Sequence, residues 1–300
     1  MRHIQADHHI YAFAPKMAAI ETIDIPSELV FETIDALDGQ ITSREDRLTE
    51  LDFSRVNPAT GPIFIEGVKS GDTLIVRIKR IELPETGVII TGPGMGVLGD
   101  ELSEYATKIL PIRDGSVRFN DLELPASPMI GVIGVAPESE SYPTGTAHRH
   151  GGNMDTKEIG ESATLYLPVF QDGGLLALGD VHAVMGDGEV CISGCEISAS
   201  VTVELDIIKG RQMNWPIVST DEGMYVIVSL PAIDAALKEA TREAVLFLER
   251  KQQISREEAA MLASLAVDVK ISQLVDPNKT AKVFIPRMLA GDCPFTQREL

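Results

Sequence analysis

Between His148 and Glu196 the chain carries His148, His150, Asp155, Asp180, His182, Asp187, Glu189 and Glu196, interleaved with Gly151, Gly152, Gly179, Gly186 and Gly188. Imidazoles and carboxylates ligate divalent cations and move protons, and three of the six histidines fall in this stretch. Glycine tolerates turns and leaves no side chain in the way of a small guest. The combination points to metal-assisted hydrolysis.

Two shorter runs sharpen that reading. In Gly179-Asp180-Val181-His182 the acid and the imidazole are two apart. On a strand they point to one face, where they can share an ion or one can orient the other. The competing reading is a strand end, with Asp180 solvated, His182 bonded to backbone and an Asp187-Gly188 hairpin turn behind. In Ala147-His148-Arg149-His150-Gly151-Gly152-Asn153-Met154-Asp155 the two histidines share one side of an extended segment, and Asn153 and Asp155 repeat the alternation. A loop of that composition is more often a site than a connector.

Other motifs carry less. Gly94-Met95-Gly96-Val97-Leu98-Gly99 has the letters of a dinucleotide fingerprint without the strand before it or the helix after it, so it reads as a glycine-rich loop lining a cleft. No Gly-x-Ser-x-Gly elbow is present. Cys191 and Cys195, four apart on what reads as a strand, fit small space-filling hydrophobes. A Cys195, Glu189 and Lys157 nucleophile set has no spacing to support it.

The elements that must position these residues are mainly strands up to residue 230. Ile63–Val68 and Thr73–Ile78 flank a Lys69-Ser70-Gly71-Asp72 turn and predict a hairpin. Short apolar runs follow at Val88–Ile90, Met129–Val135, Thr164–Val169, Glu189–Ile192 and Val201–Ile207. Many short strands between turn signals predict a mainly β (α+β) chain, sandwich-like or barrel-like. Residues 231–300 read as a helical covering segment and tail. Pro231 suits a helix start, Ile233, Leu237, Ala240, Ala244, Phe247 and Leu248 recur at helical spacing, and Ser255-Arg256-Glu257-Glu258 has capping-box spacing. Ala259, Leu262, Ala263 and Ala266 supply the second helix's apolar face, and both helices must cover one face of a sheet. Segments around Pro286 and Pro294 complete a wrapping tail. Residues 1–300 read as a single unit without a linker.

Composition bounds the partners. Apolar residues at 44% and charged residues at 24% are those of a soluble globular chain. A net charge of −19 excludes nucleic acid, whose phosphates need clustered Lys and Arg, and disfavours anionic membranes. No run approaches the ~18 apolar residues of a membrane span. The start, Met1 to Asp7, lacks a signal-peptide apolar run. Three cysteines without framework spacing make a reduced, cytoplasmic setting the expectation, with a homodimer the expected assembly.

The long motifs resemble the acetamidase/formamidase family. The resemblance runs through His150-Gly151-Gly152-Asn153-Met154-Asp155-Thr156-Lys157, Leu165-Tyr166-Leu167-Pro168-Val169, and Gly173-Gly174 on to Asp180-Val181-His182-Ala183. It continues through Gly186-Asp187-Gly188-Glu189-Val190 to Glu196. Asp38-Gly39-Gln40, Thr60-Gly61-Pro62-Ile63, Gly71-Asp72-Thr73-Leu74 and Gly94-Met95-Gly96 extend it towards the N-terminus, and Ser272-Gln273-Leu274-Val275-Asp276 into the family's C-terminal helical part. The chain departs from the family pattern at Asp7-His8-His9-Ile10-Tyr11, where a Trp-Asp is usual, and over residues 141–149.

The resemblance implies hydrolysis of formamide or acetamide to ammonia and a carboxylate, on a sandwich-like fold with a helical C-terminal portion. Asp155, Asp180 and His182 are then expected to ligate a divalent cation, zinc, with His150 as a further ligand or catalytic group and calcium as a possible structural ion. The ion polarises the carbonyl and acidifies water. Glu196 is expected to act as general base and then acid, and Asn153 or a Gly151-Gly152 amide to hold the oxyanion. The alternatives are a hydrolase of another small C–N substrate and a non-catalytic metal- or ligand-binding β-sandwich protein.

Overall fold

Apolar alternation is resolved into two stacked sheets in the computed structural model, which describes residues 2–46 and 48–295. Among the described residues one sheet has nine strands, in the order Arg2–Ile4, Ser27–Thr33, Ala199–Ile208, Thr73–Glu82, Thr164–Pro168, Ile217–Ser219, Gly223–Leu230, Lys279–Pro286 and Asp268–Gln273. The other has eleven. Its path runs Leu122–Pro125, Ser116–Phe119, Ala106–Arg113, Thr86–Thr91, Glu196–Ile197, Leu176–His182, Met129–Gly134 and Gly151–Asn153. Ala59–Ile65 also pairs with Leu176–His182 and brings in His9–Ile10 and Glu21–Ile23.

Side-chain alternation along strands decides which layer each residue serves. Leu74, Val76, Leu165, Leu167, Val201 and Val203 of the nine-stranded sheet meet Ile63, Ile65, Ile130, Ile133, Leu176 and Leu178 of the other in one buried cluster. Ile75 and Tyr166 point the opposite way, into a second cluster with Val226, Val228 and Val283. There α1 (Ile233–Gln252) buries Ala236, Ala240, Ala244, Phe247 and Leu248, and α2 (Arg256–Ala266) buries Ala259 and Ala263. The alanines let the helices lie close to the sheet, and Ser255 and Glu258 form the expected capping box. No helix among the described residues is long and apolar enough to cross a membrane.

The mainly β sandwich and its two covering helices match the expectation from sequence; four local expectations do not. Ile63–Val68 and Thr73–Ile78 form no hairpin, because Ala59–Ile65 and Thr73–Glu82 belong to different sheets. Both runs feed the inter-sheet core, and the turn between them is held by Asp72, whose carboxylate accepts from Lys69 N and Gly210 N. Residues 268–286 are not helical: Asp268–Gln273 and Lys279–Pro286 pair antiparallel at the edge of the nine-stranded sheet, with Ala281, Val283 and Ile285 facing the helices. The last residues of the tail, 296–300, lie outside the described residues. Glu189–Ile192 is a turn rather than a strand, with Glu189 at φ 46° and Ile192 at φ 86°. Cys191 and Cys195 accordingly share no strand: Cys191 lies in the turn, and Cys195, which is buried, directly precedes Glu196–Ile197.

Candidate active site

Leu176–His182 lies inside the eleven-stranded sheet, between Met129–Gly134 and Glu196–Ile197. His182 stands directly opposite Glu196 in the antiparallel register, and residues so paired share a face. Glu196 Oε2 therefore lies 3.1 Å from His182 Nε2. Asp180, two residues back, reaches the same nitrogen at 3.2 Å, and Asp155 Oδ1 at 3.8 Å. Asp155 follows Gly151–Asn153 with a left-handed φ of 40°, and Asp180 has φ 51°. Such strain in non-glycine residues persists where the surroundings over-determine it, commonly at functional sites. Gly131 completes the cradle. A Cβ there would meet Asp155 Oδ1 at 2.5 Å and Asp180 Oδ2 at 2.7 Å, so only a bare backbone leaves room for the two carboxylates.

Two further acids come from distant segments. Glu189 arrives on the 186–189 turn, and Asp276 accepts from Asn153 Nδ2 at 2.8 Å. Asn57 Nδ2 approaches Asp180 Oδ2 at 3.4 Å, and Glu196 Oε1 accepts from Gly194 N at 2.7 Å. Both oxygens of Asp155, Glu189 Oε2, His182 Nδ1 and Asn153 Oδ1 are buried without a hydrogen-bond partner in the protein.

Burial dominates the electrostatics, since a desolvated carboxylate resists ionisation. It raises Asp155 to about 7 and Glu196 to about 8. Glu189 and Asp276 are likewise pushed well above the usual carboxylate range by burial and then by the Asp155 charge. Burial alone would depress His182, but the Glu196 and Asp180 carboxylates more than offset it and its pKa rises well above the ordinary value. Four buried acids, Asp155, Asp180, Glu189 and Glu196, thus surround one imidazole, and the half-buried Asp276 adds to their mutual repulsion.

A cation suits that imbalance. Two sets, Asp155–Asp180–His182 and His182–Glu189–Glu196, each hold ligand atoms within 4.8 Å of one another. Together with the unpartnered oxygens, they fit a metal ion. The cluster floors a cavity of about 580 Å³, where Asn153, Asp180, Glu189, Glu196 and Asp276 meet walls that include Tyr11, Leu37, Leu51, Phe53, Val56, Ile90 and Ile192.

A model of the Acetamidase/Formamidase family matches residues 2–145 and 138–290. The chain belongs to the acetamidase/formamidase family. It is 47% identical to a predicted acetamidase/formamidase from Thermoanaerobacter tengcongensis, whose crystal structure superposes with a TM-score of 0.93 over 96% of each chain. An acetamidase from Bacillus halodurans is 42% identical, with a TM-score of 0.93 over 95% of this chain and 97% of that one. An acetamidase from Mycolicibacterium smegmatis is 25% identical over 263 residues, 65% of each chain. The chain spans 63% to 87% of the lengths of the curated relatives it matches.

Not every residue singled out from the sequence joins this acetamidase/formamidase-family cluster. Asp155, Asp180, His182, Glu196 and Asn153 do; His150 does not. His148 and His150 form a tight turn rather than an extended segment, with reciprocal backbone bonds between His148 and Gly151. Tyr142 stacks on both rings, at 5.2 and 5.0 Å, and Phe13 lies 5.1 Å from the His150 ring. Burial without any partner lowers His150 to about 3, so it is neutral. Asp187 sits in a turn as expected, but no hairpin follows: Gly188 bridges to Gln273, and Asp187 pairs with Lys157 at 3.0 Å and Lys282 at 2.6 Å. Burial pushes the Cys195 thiol up to about 12, which removes it as a nucleophile. The 94–99 loop does not line the cavity. Val97 N bonds Val190 O at 2.8 Å, so the loop backs the turn that presents Glu189. Asn57 and Gly131 carry no signal of their own in the sequence, whereas Glu189 stands among the candidate ligands and Asp276 closes the Ser272–Asp276 motif without a role. For Asn57 the signal is its tertiary approach to Asp180.

Proposed function

We propose that the protein is an amidase that hydrolyses small aliphatic amides, formamide and acetamide among them, to ammonia and the carboxylate. One observation carries this: a buried set of acids around one imidazole opens into a cavity, in a chain of the acetamidase/formamidase family. Asp155, Asp180 and His182 would hold a divalent cation, with Glu189 beside them. The mixed nitrogen and oxygen donors favour zinc, while oxygen donors alone suit calcium as a structural ion. When bound, the cation polarises the amide carbonyl and acidifies water.

The chain's own residues do the rest. Glu196, whose burial favours the protonated form more than in an ordinary carboxylate, stands opposite His182, placed to take a proton and return it. It accepts the proton of the attacking water and delivers it to the departing nitrogen, which leaves as ammonia. Asn153 commits Nδ2 to Asp276, so its unpartnered Oδ1 is placed to accept from the substrate's N–H. That suits it better than the oxyanion role expected from the sequence. Gly131 keeps Asp155 and Asp180 in place by leaving them room.

The proposal includes a reduced, cytoplasmic setting, supported by three free cysteines, and a homodimer, supported by Met261 and Leu265 exposed on α2. The test is ammonia release from formamide and acetamide by metal-loaded and chelator-stripped protein. Activity lost on stripping and restored by zinc supports the reading. Bound metal with no ammonia from any amide overturns it in favour of a non-catalytic binding protein.

A further inference from the structure

The cavity above the cluster is much larger than formamide or acetamide requires. At roughly 30 Å³ for each water-sized group, three or four heavy atoms fill about 100 Å³, whereas the cavity holds about 580 Å³. Its two sides differ chemically. The floor is acidic and polar. The wall is apolar: Leu37, Leu51 and Ile90 belong to a buried cluster with Val56 and Ile192 packed on it, and Phe53, 59% exposed, stands at the rim. This cluster is separate from the main core, and these side chains are drawn from three segments, the 37–56 stretch, the strand Thr86–Thr91 and the 189–192 turn, which meet at the cavity. Among the described residues lining the cavity there is no Lys, Arg or His, so nothing along the apolar wall pairs with a charge at the far end of an acyl chain.

We propose that the preferred substrate is an uncharged primary amide whose acyl group is apolar and larger than methyl, seated against Leu37, Leu51, Phe53, Val56, Ile90 and Ile192. This rests on amide hydrolysis at the His182 cluster and deepens it. The buried Asn153 Oδ1 reads the –NH₂ end, the acids and their ion face the carbonyl, and the acyl chain lies along the apolar wall. Ligand sites are commonly built this way, with a few convergent polar groups in an apolar cleft.

The test compares kcat/KM of the metal-loaded protein for acetamide, butyramide, hexanamide and benzamide, with the monoamide of adipic acid as the charged counterpart of hexanamide. A fully buried methylene is worth up to about fourfold. Hexanamide should exceed acetamide by at least tenfold, and the adipic monoamide should fall at least tenfold below hexanamide. Phe53→Ala, at an exposed rim position, should lower the hexanamide-to-acetamide ratio about threefold. In saturation-transfer NMR on chelator-stripped protein, hexanamide should give signals at concentrations where acetamide gives none. If kcat/KM is flat or falls with chain length while acetamide is still hydrolysed, the inference fails and the amidase reading stands. If no amide in the panel releases ammonia, both fail.

Discussion

Two buried clusters of charge, joined by a single turn, are built on opposite plans. At Lys282, which has no exposed side chain, the ammonium meets Glu158 and Asp187 at 2.6 Å each, and Lys157 adds a second contact to Asp187 at 3.0 Å. Every charge there has an opposite partner, and the carboxylates keep some access to water. Two residues further on, Glu189 enters the other cluster, where four buried acids and the half-buried Asp276 share one imidazole, His182, and among the described residues no lysine or arginine side chain pairs with them. The fold can neutralise buried acids with lysine where closure is the aim. At the cavity floor it leaves the charge open for a cation, and the closed cluster anchors the turn that carries Glu189.

The comparison breaks most visibly at Glu196. General acid–base groups contribute about 10²- to 10⁴-fold to rate, so Glu196→Gln should lower kcat by that factor. Bound zinc, counted by elemental analysis, should remain, since Asp155, Asp180 and His182 stay in place. Near-normal turnover would remove Glu196 from the proton path. Loss of zinc together with activity would make it a ligand first.

The closed cluster should fail differently. Lys282→Met leaves Glu158 without its ammonium while Asp187 keeps Lys157, and an acceptor stripped of its partner costs about 2 kcal/mol, read as a lower urea midpoint. Lys282→Arg should recover part of that loss. Asp155→Asn carries the opposite sign. In metal-free protein at pH 8 it removes a buried, unpartnered charge, so stability should be unchanged or higher by about 1 kcal/mol, while the zinc-induced rise in Tm disappears. Equal destabilisation by Lys282→Met and Asp155→Asn in metal-free protein would erase the distinction between the clusters.

What could be read along the chain follows the range of each interaction. Asp180 and His182 were legible because a strand's period of two is a local property, and Glu196 because it lies within the same glycine-rich tract. The capping box at Ser255 and the alanine stripe of α1 are equally local. Glu189 is visible as a residue, but Glu189-Val190-Cys191-Ile192 alternates like a strand; the structure instead closes turns there through Glu189 N to Gly186 O and Ile192 N to Glu189 O, beside the long-range bridge of Gly188 to Gln273. The expected hairpin at Lys69–Asp72 failed for the same reason. A turn signal says that the chain reverses, not which sheet receives the next strand. Asp276 reaches the site only because Gln273 Oε1 accepts from Val275 N and Asp276 N at 2.9 and 3.1 Å, at the end of a strand the sequence reading left helical.

His150 offers the smallest effect and a third way of burying a polar group, by staying neutral. Its pKa is held at about 3, against 6.5 for the ordinary imidazole, by burial and secondarily by His148. A depressed histidine adds stability above its unfolded value and loses it as pH falls towards the folded one, by about 1.4 kcal/mol per unit. Between pH 6.5 and 5.5 the wild type should therefore lose about 1 kcal/mol relative to His150→Phe, measured as the difference in urea stability at the two values. If His150 stands apart from the ion, as its Tyr142 and Phe13 neighbours indicate, that difference is the same with and without zinc. Were it a ligand, His150→Phe would instead cut the zinc-induced rise in Tm that the wild type shows, returning His150 to the metal site.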